Sequence, residues 1–345
     1  LVDVLEKLSN ANGVTGREDN VRNLMKKYLK PWVDEIKEDK LGNLIAFKKG
    51  KKNSPTIMIA AHMDEVGLMI KNIKKKGFLQ FTKIGGIDDR VLLAQRVIVH
   101  TDKGPRIGII GSKPVHIQKE EDRKKIIEVD NLFIDIGAKN KEEAEMMGIQ
   151  VGDVVSFDTS FTQLGNNIVL GKAFDDRVGC TLLVETLKRL QKVDSNLYAV
   201  GTIQEEVGLR GATIAAFQIE PDIGIALDAS VAGDTPGVRE GEAPAKMGAG
   251  PVLTVADAGL IAHPKVLRLL VDSAKQSKIP YQLETGIRGA TDAARIALSK
   301  HGVPSGVVSI PARYIHSPAG ILNLDDVEKA VQLVITAIEN VSKVF

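Results

Sequence analysis

Apolar residues recur along this chain with two different periods, and the switches between them mark out its elements. Residues 1–9 carry the spacing of a short amphipathic helix. Thr15-Gly-Arg-Glu18 reads as a capping box that opens a second helix, which Pro31 stops near Leu29. Two strand-like runs follow at 33–38 and 43–47, and then a near-continuous apolar run at 55–64, of the kind buried on both faces of a sheet. From Val66 to about Asn166 the texture changes. Short β-type runs at 67–73, 78–84, 96–101, 106–111, 132–136 and 154–157 alternate with Gly and charged turns, with a short helix at 141–147 and a mixed-charge surface segment at 117–125.

After Lys172 helix and strand alternate. Helices are expected at 178–190, 211–218, 264–277, 292–299 and 325–344, and strands at 197–204, 222–227, 251–255, 281–284 and 306–310, with a Gly- and Pro-rich loop at 232–250. The pattern predicts an α/β fold: a mixed, mostly parallel sheet with helices on both faces, interrupted by an inserted small β-rich, barrel-like domain. The catalytic unit is then discontinuous, 1–65 and 167–345, and the insert is 66–166.

Composition narrows the partners. With 46 Lys+Arg against 44 Asp+Glu in 345 residues, nothing in the net charge favours nucleic acid or an anionic membrane surface. No stretch approaches the roughly 18 consecutive apolar residues of a membrane span, and the first residues read as an amphipathic helix, not a signal peptide, so a soluble, cytoplasmic protein is expected. The single cysteine, Cys180, falls in the apolar stripe of the 178–190 helix and reads as a buried structural thiol.

Candidate chemistry gathers at the ends of strands, where open α/β sheets place their sites. His62 and Asp64 end one apolar run, Glu205 and Glu206 follow another, Asp228 follows a third, His316 comes shortly after a fourth, and Asp175 and Asp176 stand at the mouth of a helix. Taken singly, each has an ordinary structural role, and the adjacent Asp175 and Asp176 suit an exposed helix N-terminus as well as a metal. Together, two imidazoles and three carboxylates without thiolate suit a pair of Zn²⁺ or similar ions. One positive charge is left over for a bridging hydroxide, which favours a hydrolase. If the backbone at Glu205-Glu206 is extended, their side chains point to opposite sides, so that one can bind metal while the other takes a proton. Asp64, two residues beyond His62, is placed to orient that imidazole.

His62-Met-Asp64, Ala173-Phe-Asp-Asp-Arg177, Gln204-Glu-Glu-Val-Gly208, Ala226-Leu-Asp228 and Ile315-His-Ser317, in this order and spacing, resemble the tetrahedral (TET) aminopeptidases, a family of dinuclear zinc or cobalt exopeptidases. The resemblance implies that Asp175 bridges two divalent ions, Zn or Co, with His62 and Asp228 completing one site and Glu206 and His316 the other. It also implies Glu205 as general base, Asp64 as the orienter of His62, and Asp176 just outside the ligand set. Gly289-Ala-Thr-Asp-Ala293 resembles the family's Gly-Gly-Thr-Asp segment near the substrate, with Arg288-Gly-Ala where a Gly pair is found, which bears on Thr291 and Asp292. The implied activity is removal of the N-terminal residue from short unblocked peptides. The implied partner is the chain itself: the insert dimerises, and six dimers close into a hollow tetrahedral dodecamer. Two other readings use the same residues, an N-acyl amino-acid hydrolase or deacetylase and a non-catalytic metal-stapled scaffold. The second has no use for a free carboxylate beside a ligand.

Overall fold

In the computed structural model, which describes residues 1–239, 241–286 and 289–345, the run ending in His62 forms the strand Thr56–His62 near the middle of an eleven-stranded mixed sheet. Its residues alternate between two cores. Ile57, Ile59 and Ala61 face a large cluster built with the helices Val2–Asn10, Asp19–Leu29, Phe174–Arg189, Pro264–Gln276 and Leu324–Asn340, whereas Met58 and Ala60 face a smaller one under Arg210–Ile219 and Asp292–Ala297. A strand covered on both sides has no polar face, and that is why the run is continuously apolar.

Thr56–His62 pairs in parallel with Asn196–Thr202 on one side, His62 opposite Thr202, and with Ile223–Val231 on the other, Ala60 opposite Ala226. Ile223–Val231 pairs in parallel with Ser305–Arg313. Antiparallel strands flank this parallel centre: Leu44–Lys48 and Glu35–Glu38 beyond Asn196–Thr202, and Gly320–Asn323, Ile168–Gly171 and Thr162–Gly165 beyond Ser305–Arg313. Those last three, each of 4 residues and bounded or ended by glycine, carry too little alternation to be read from the sequence.

Gly67–Ile73, Leu79–Ile84, Phe133–Asp135, Gly104–Gly111, Arg96–Thr101 and Val154–Phe157 close into a six-stranded antiparallel barrel around a core of its own, including Leu68, Phe81, Val97, Val99 and Ile134. Among the described residues no helix is long and apolar enough to cross a membrane.

Three local expectations are corrected. The capping box does not form: Thr15 and Glu18 direct their side chains elsewhere, and the helix Asp19–Leu29 begins with no side-chain cap. Asp228 lies inside its strand, which runs on to Val231 because Ser305–Arg313 extends with it and keeps the ladder satisfied beyond the end of Thr56–His62. The backbone at Glu205-Glu206 is a turn and not extended, entered through Gln204 at φ 53°.

Candidate metal centre and active site

Parallel pairing sets the site. Continuing the Ala60–Ala226 register brings Asp228 level with His62, and the turn after Thr202 carries Glu205 and Glu206 in from the other neighbouring strand. The helix Phe174–Arg189 runs beneath, almost entirely buried, and its first turn is not helical at Asp175 and Asp176. That irregularity separates the two carboxylates. Asp176 turns inward, accepting the N–H of Gly179 at 2.8 Å and that of His62 at 3.0 Å, while Asp175 turns out toward the imidazoles. Gly179 allows this: a Cβ there would collide with the Asp176 carboxylate and the Leu227 carbonyl. Neither carboxylate therefore sits at an exposed helix N-terminus: Asp176, fully buried, takes backbone N–H groups, and Asp175 is left as the candidate ligand.

Asp175 lies between two histidines, with Oδ1 3.0 Å from His62 Nε2 and Oδ2 3.1 Å from His316 Nε2. Glu206 Oε2 is 3.4 Å from His316 Nε2, and on the other side Glu205 Oε2 and Asp228 Oδ1 lie 3.9 and 4.0 Å from His62 Nε2. All seven predicted site residues therefore converge. His62 Nδ1 faces Asp64 twice, at 3.1 Å from its carbonyl oxygen and 3.4 Å from Oδ1, which fixes the ring so that Nε2 points into the cluster.

The electrostatics are those of too many carboxylates for the positive charge present. Burial, reinforced by the Asp175 charge, pushes Glu206 up to about 7, and burial together with Asp228 pushes Glu205 up to about 11. Burial and the Asp175 charge also hold Asp228 well above its usual range. Asp175 moves the other way despite its burial, because both imidazoles bond to it. His62 is raised well above an ordinary histidine by Glu205, Asp175 and Asp64 although burial opposes this, and His316 rises to about 9 through its bond with Asp175.

These residues fit divalent cations. The ligand atoms of His62, Glu205 and Asp228, and likewise those of His62, Asp175 and Glu206, lie within 4.8 Å of one another. The buried Glu206 Oε1 has no hydrogen-bond partner among the described residues, and the donors are the imidazole and carboxylate groups that borderline cations take. The cluster forms one wall of a cleft of about 690 Å³, whose other walls include Leu209, Ser230, Asp257, Glu284 and Thr291. Asp257 Oδ2 and Thr291 Oγ1 are buried there with no hydrogen-bond partner among the described residues. Asp292 is buried behind the cleft and accepts from Thr202 Oγ1, and burial raises it to about 6. Arg288 of the Arg288-Gly-Ala stretch lies outside the described residues.

Sequence reasoning missed what holds the cluster from behind. Glu65 and Lys172, both buried, pair at 2.7 Å, and Arg177, fully buried, reaches Glu65 at 3.1 Å while donating to the carbonyl oxygens of Leu8, Met63 and Asp64. The signal was opposite charges set beside two apolar motifs, Ala-His-Met-Asp-Glu65 and Gly-Lys172-Ala-Phe, where a solvated face is not available. Cys180 is buried as expected, and its Sγ donates to the His62 carbonyl at 3.2 Å.

A family model described as M42 glutamyl aminopeptidase matches residues 42–333. A TET aminopeptidase from the marine sediment archaeon Thaumarchaeota archaeon SCGC AB-539-E09 has a similar structure, with a TM-score of 0.96 and 42% identity over 99% of this chain and 96% of that one. The chain is also similar to the TET1 peptidase of Pyrococcus horikoshii, which can assemble into a tetrahedron or a large octahedral shell. That match has a TM-score of 0.86 and 34% identity, covering 97% of this chain and 98% of that one. A lysyl aminopeptidase of Pyrococcus furiosus is 37% identical over 96% of this chain and 94% of its own length. With a family model spanning most of the sequence and relatives of this identity matched nearly end to end, the chain belongs to the M42 glutamyl aminopeptidase family.

Proposed function

We propose that this chain is a metal-dependent aminopeptidase that removes the N-terminal residue from short unblocked peptides, with two divalent cations, zinc or cobalt, held by His62, Asp175, Glu206, Asp228 and His316. The observation that carries the reading is Asp175, whose two oxygens face two imidazoles in the wall of a cleft large enough for the end of a peptide. In this reading Asp175 is shared, His62 and Asp228 complete one ligand set, and Glu206 and His316 complete the other. Bound there, the cations would supply Lewis acidity, lowering the pKa of a water molecule and polarising a carbonyl.

The remaining work falls to the chain's own groups. Glu205, buried beside Asp228 and 3.9 Å from His62 Nε2, is the proton carrier: its carboxylate takes a proton from the attacking water and its carboxyl gives it to the departing amine. Burial pushes the Glu205 carboxyl up, and cations bound beside it would lower it again, toward the range in which it can both take and give a proton. Asp64 keeps the His62 ring aligned. Ser230, Asp257, Glu284 and Thr291 give the cleft wall polar side chains that could meet the polar groups of a peptide end. The reading extends to assembly: the barrel, with Ile107 and Ile109 exposed on one strand, pairs with a second copy, and six such dimers form a hollow dodecamer.

The test is the release of amino acids by metal-loaded protein from a short peptide and from its N-acetylated twin. Cleavage of the free peptide alone is expected. Cleavage of the blocked twin replaces the reading with an acyl hydrolase, and cleavage of neither overturns the enzyme. One relative is a lysyl aminopeptidase and another a glutamyl aminopeptidase, so a scan of N-terminal residues follows.

A further inference from the structure

Three consecutive backbone N–H groups point at two buried carboxylates from distant parts of the chain. The N–H of Gln204 donates to Glu18 Oε1 at 3.3 Å, and those of Glu205 and Glu206 donate to Asp64 Oδ1 and Oδ2 at 3.0 and 3.2 Å. Gln204 is in the left-handed region at φ 53°, which a residue with a side chain keeps only when its surroundings hold it there. Successive N–H groups in such a turn make a nest for an anion. Here the chain supplies the anions itself.

The anions are held in turn by the segment that the capping-box spacing had assigned to a helix start. Thr15 Oγ1 donates to Asp64 Oδ2 at 2.8 Å, and its N–H donates to the Glu65 carbonyl at 3.2 Å. Glu18 Oε1 also accepts the N–H of Gly16 at 2.7 Å. Asp64 is 0% exposed, so each of its bonds replaces one that water cannot make. Thr15 and Glu18 are themselves buried, and neither lines the cleft.

We infer that Thr15 and Glu18 are positioning residues: through Asp64 and the N–H of Gln204 they hold the Glu205-Glu206 turn so that both carboxylates reach the imidazole cluster. Without the Thr15 hydroxyl, Asp64 loses a donor it cannot replace from solvent and must rotate, releasing the N–H of Glu205 or Glu206. Without the Glu18 carboxylate the N–H of Gln204 loses its acceptor, and the left-handed residue is held only through its carbonyl and side-chain oxygens, which accept from Arg210. The kinetic arm of the inference rests on the aminopeptidase reading, whereas the structural arm does not.

The experiment compares Thr15→Val, which keeps the shape and loses the hydroxyl, with Thr15→Ser, and Glu18→Leu with Glu18→Gln, in the full chain loaded with metal. Two quantities are read: amide hydrogen exchange at residues 204–206, and kcat and KM on an unblocked peptide. In Thr15→Val and Glu18→Leu, protection at 204–206 is expected to fall on the order of tenfold, as for one lost hydrogen bond, with the Thr56–His62 strand unchanged. At saturating metal, a turn misplaced by a fraction of an ångström lowers kcat on the order of tenfold to a hundredfold while KM stays near wild type, and because the turn also carries Glu206, half-saturation moves to a higher metal concentration. Thr15→Ser and Glu18→Gln, which keep a donor and an acceptor, restore both quantities. Unchanged exchange at 204–206 in both disruptive variants overturns the inference, as does exchange that rises equally along the Thr56–His62 strand. Wild-type protein inactive on every peptide, with the exchange changes as expected, sinks the aminopeptidase reading and leaves the positioning role supported. Active wild type with unaltered kcat in both variants sinks the positioning role alone.

Discussion

The two imidazoles that face Asp175 are held in different ways. His62 ends a strand covered on both faces, its side chain is 3% exposed, and its ring is braced by Asp64 on one nitrogen and by Asp175, Glu205 and Asp228 around the other. His316 sits in a loop at φ 56°, its side chain is 37% exposed, and its Nδ1 leans on the Gly86 carbonyl at 2.9 Å, a residue contributed by the segment between two barrel strands. One half of the site is preorganised by the sheet, and the other is completed where the barrel meets the large unit. Side chains on strand ends are placed by the ladder, but a loop histidine keeps its position only as long as both of its neighbours do.

Glu205 belongs to the rigid half, and its replacement has the largest expected effect. Glu205→Gln keeps the shape and removes the proton carrier, so turnover should fall by at least ~10²-fold while bound metal, read by elemental analysis, is retained. Wild-type turnover in that variant would remove Glu205 from the mechanism.

The comparison itself is tested by truncating each imidazole. His62→Ala removes the buried imidazole that Asp64, Asp175 and Asp228 face, and should cost about 1–3 kcal/mol of stability in denaturant unfolding, as for buried polar groups left unpaired, together with most of the metal. His316→Ala should lower metal occupancy at one site and lower the melting temperature less than His62→Ala does, because its side chain is partly exposed. Equal destabilisation by the two would erase the distinction between sheet-built and loop-built halves.

A smaller effect concerns pH in metal-stripped protein. Glu206 at about 7, Glu205 at about 11 and His316 at about 9 all lie above their ordinary values of 4.5 for Glu and 6.5 for His. Each holds its proton more tightly folded than unfolded. Their stabilisation is complete below the ordinary values and is lost as pH rises through the folded ones. Asp175, held below its usual 3.8, acts only in more acid solution. Stripped protein should therefore melt at falling temperature as pH rises from about 5 to about 9. Metal-loaded protein should not, because its ligands bind cations once deprotonated. A stripped protein that gains stability across that window contradicts the account of the buried carboxylates.

Much of this molecule is legible in one dimension. The two-faced strand at 56–62, the alternation of helix and strand after Lys172 and the hairpin texture of the barrel are local periodicities, and they survive folding because burial rewards the same pattern that reveals them. The residues that converge were visible too, not singly but because several carboxylates and histidines end apolar runs in one chain. Tertiary structure decided the rest. Asp175 and Asp176 are identical in type and adjacent, and only the irregular first turn of a buried helix sends one to the imidazoles and the other to backbone N–H groups. Thr15 and Glu18 have the spacing of a helix cap, yet partners at Asp64 and Gln204, far along the chain, outbid the local one. Local pattern determines which elements form. Hydrogen-bond partners far apart in sequence are chosen by what the assembled sheet brings within reach, because a buried polar group cannot turn to water instead.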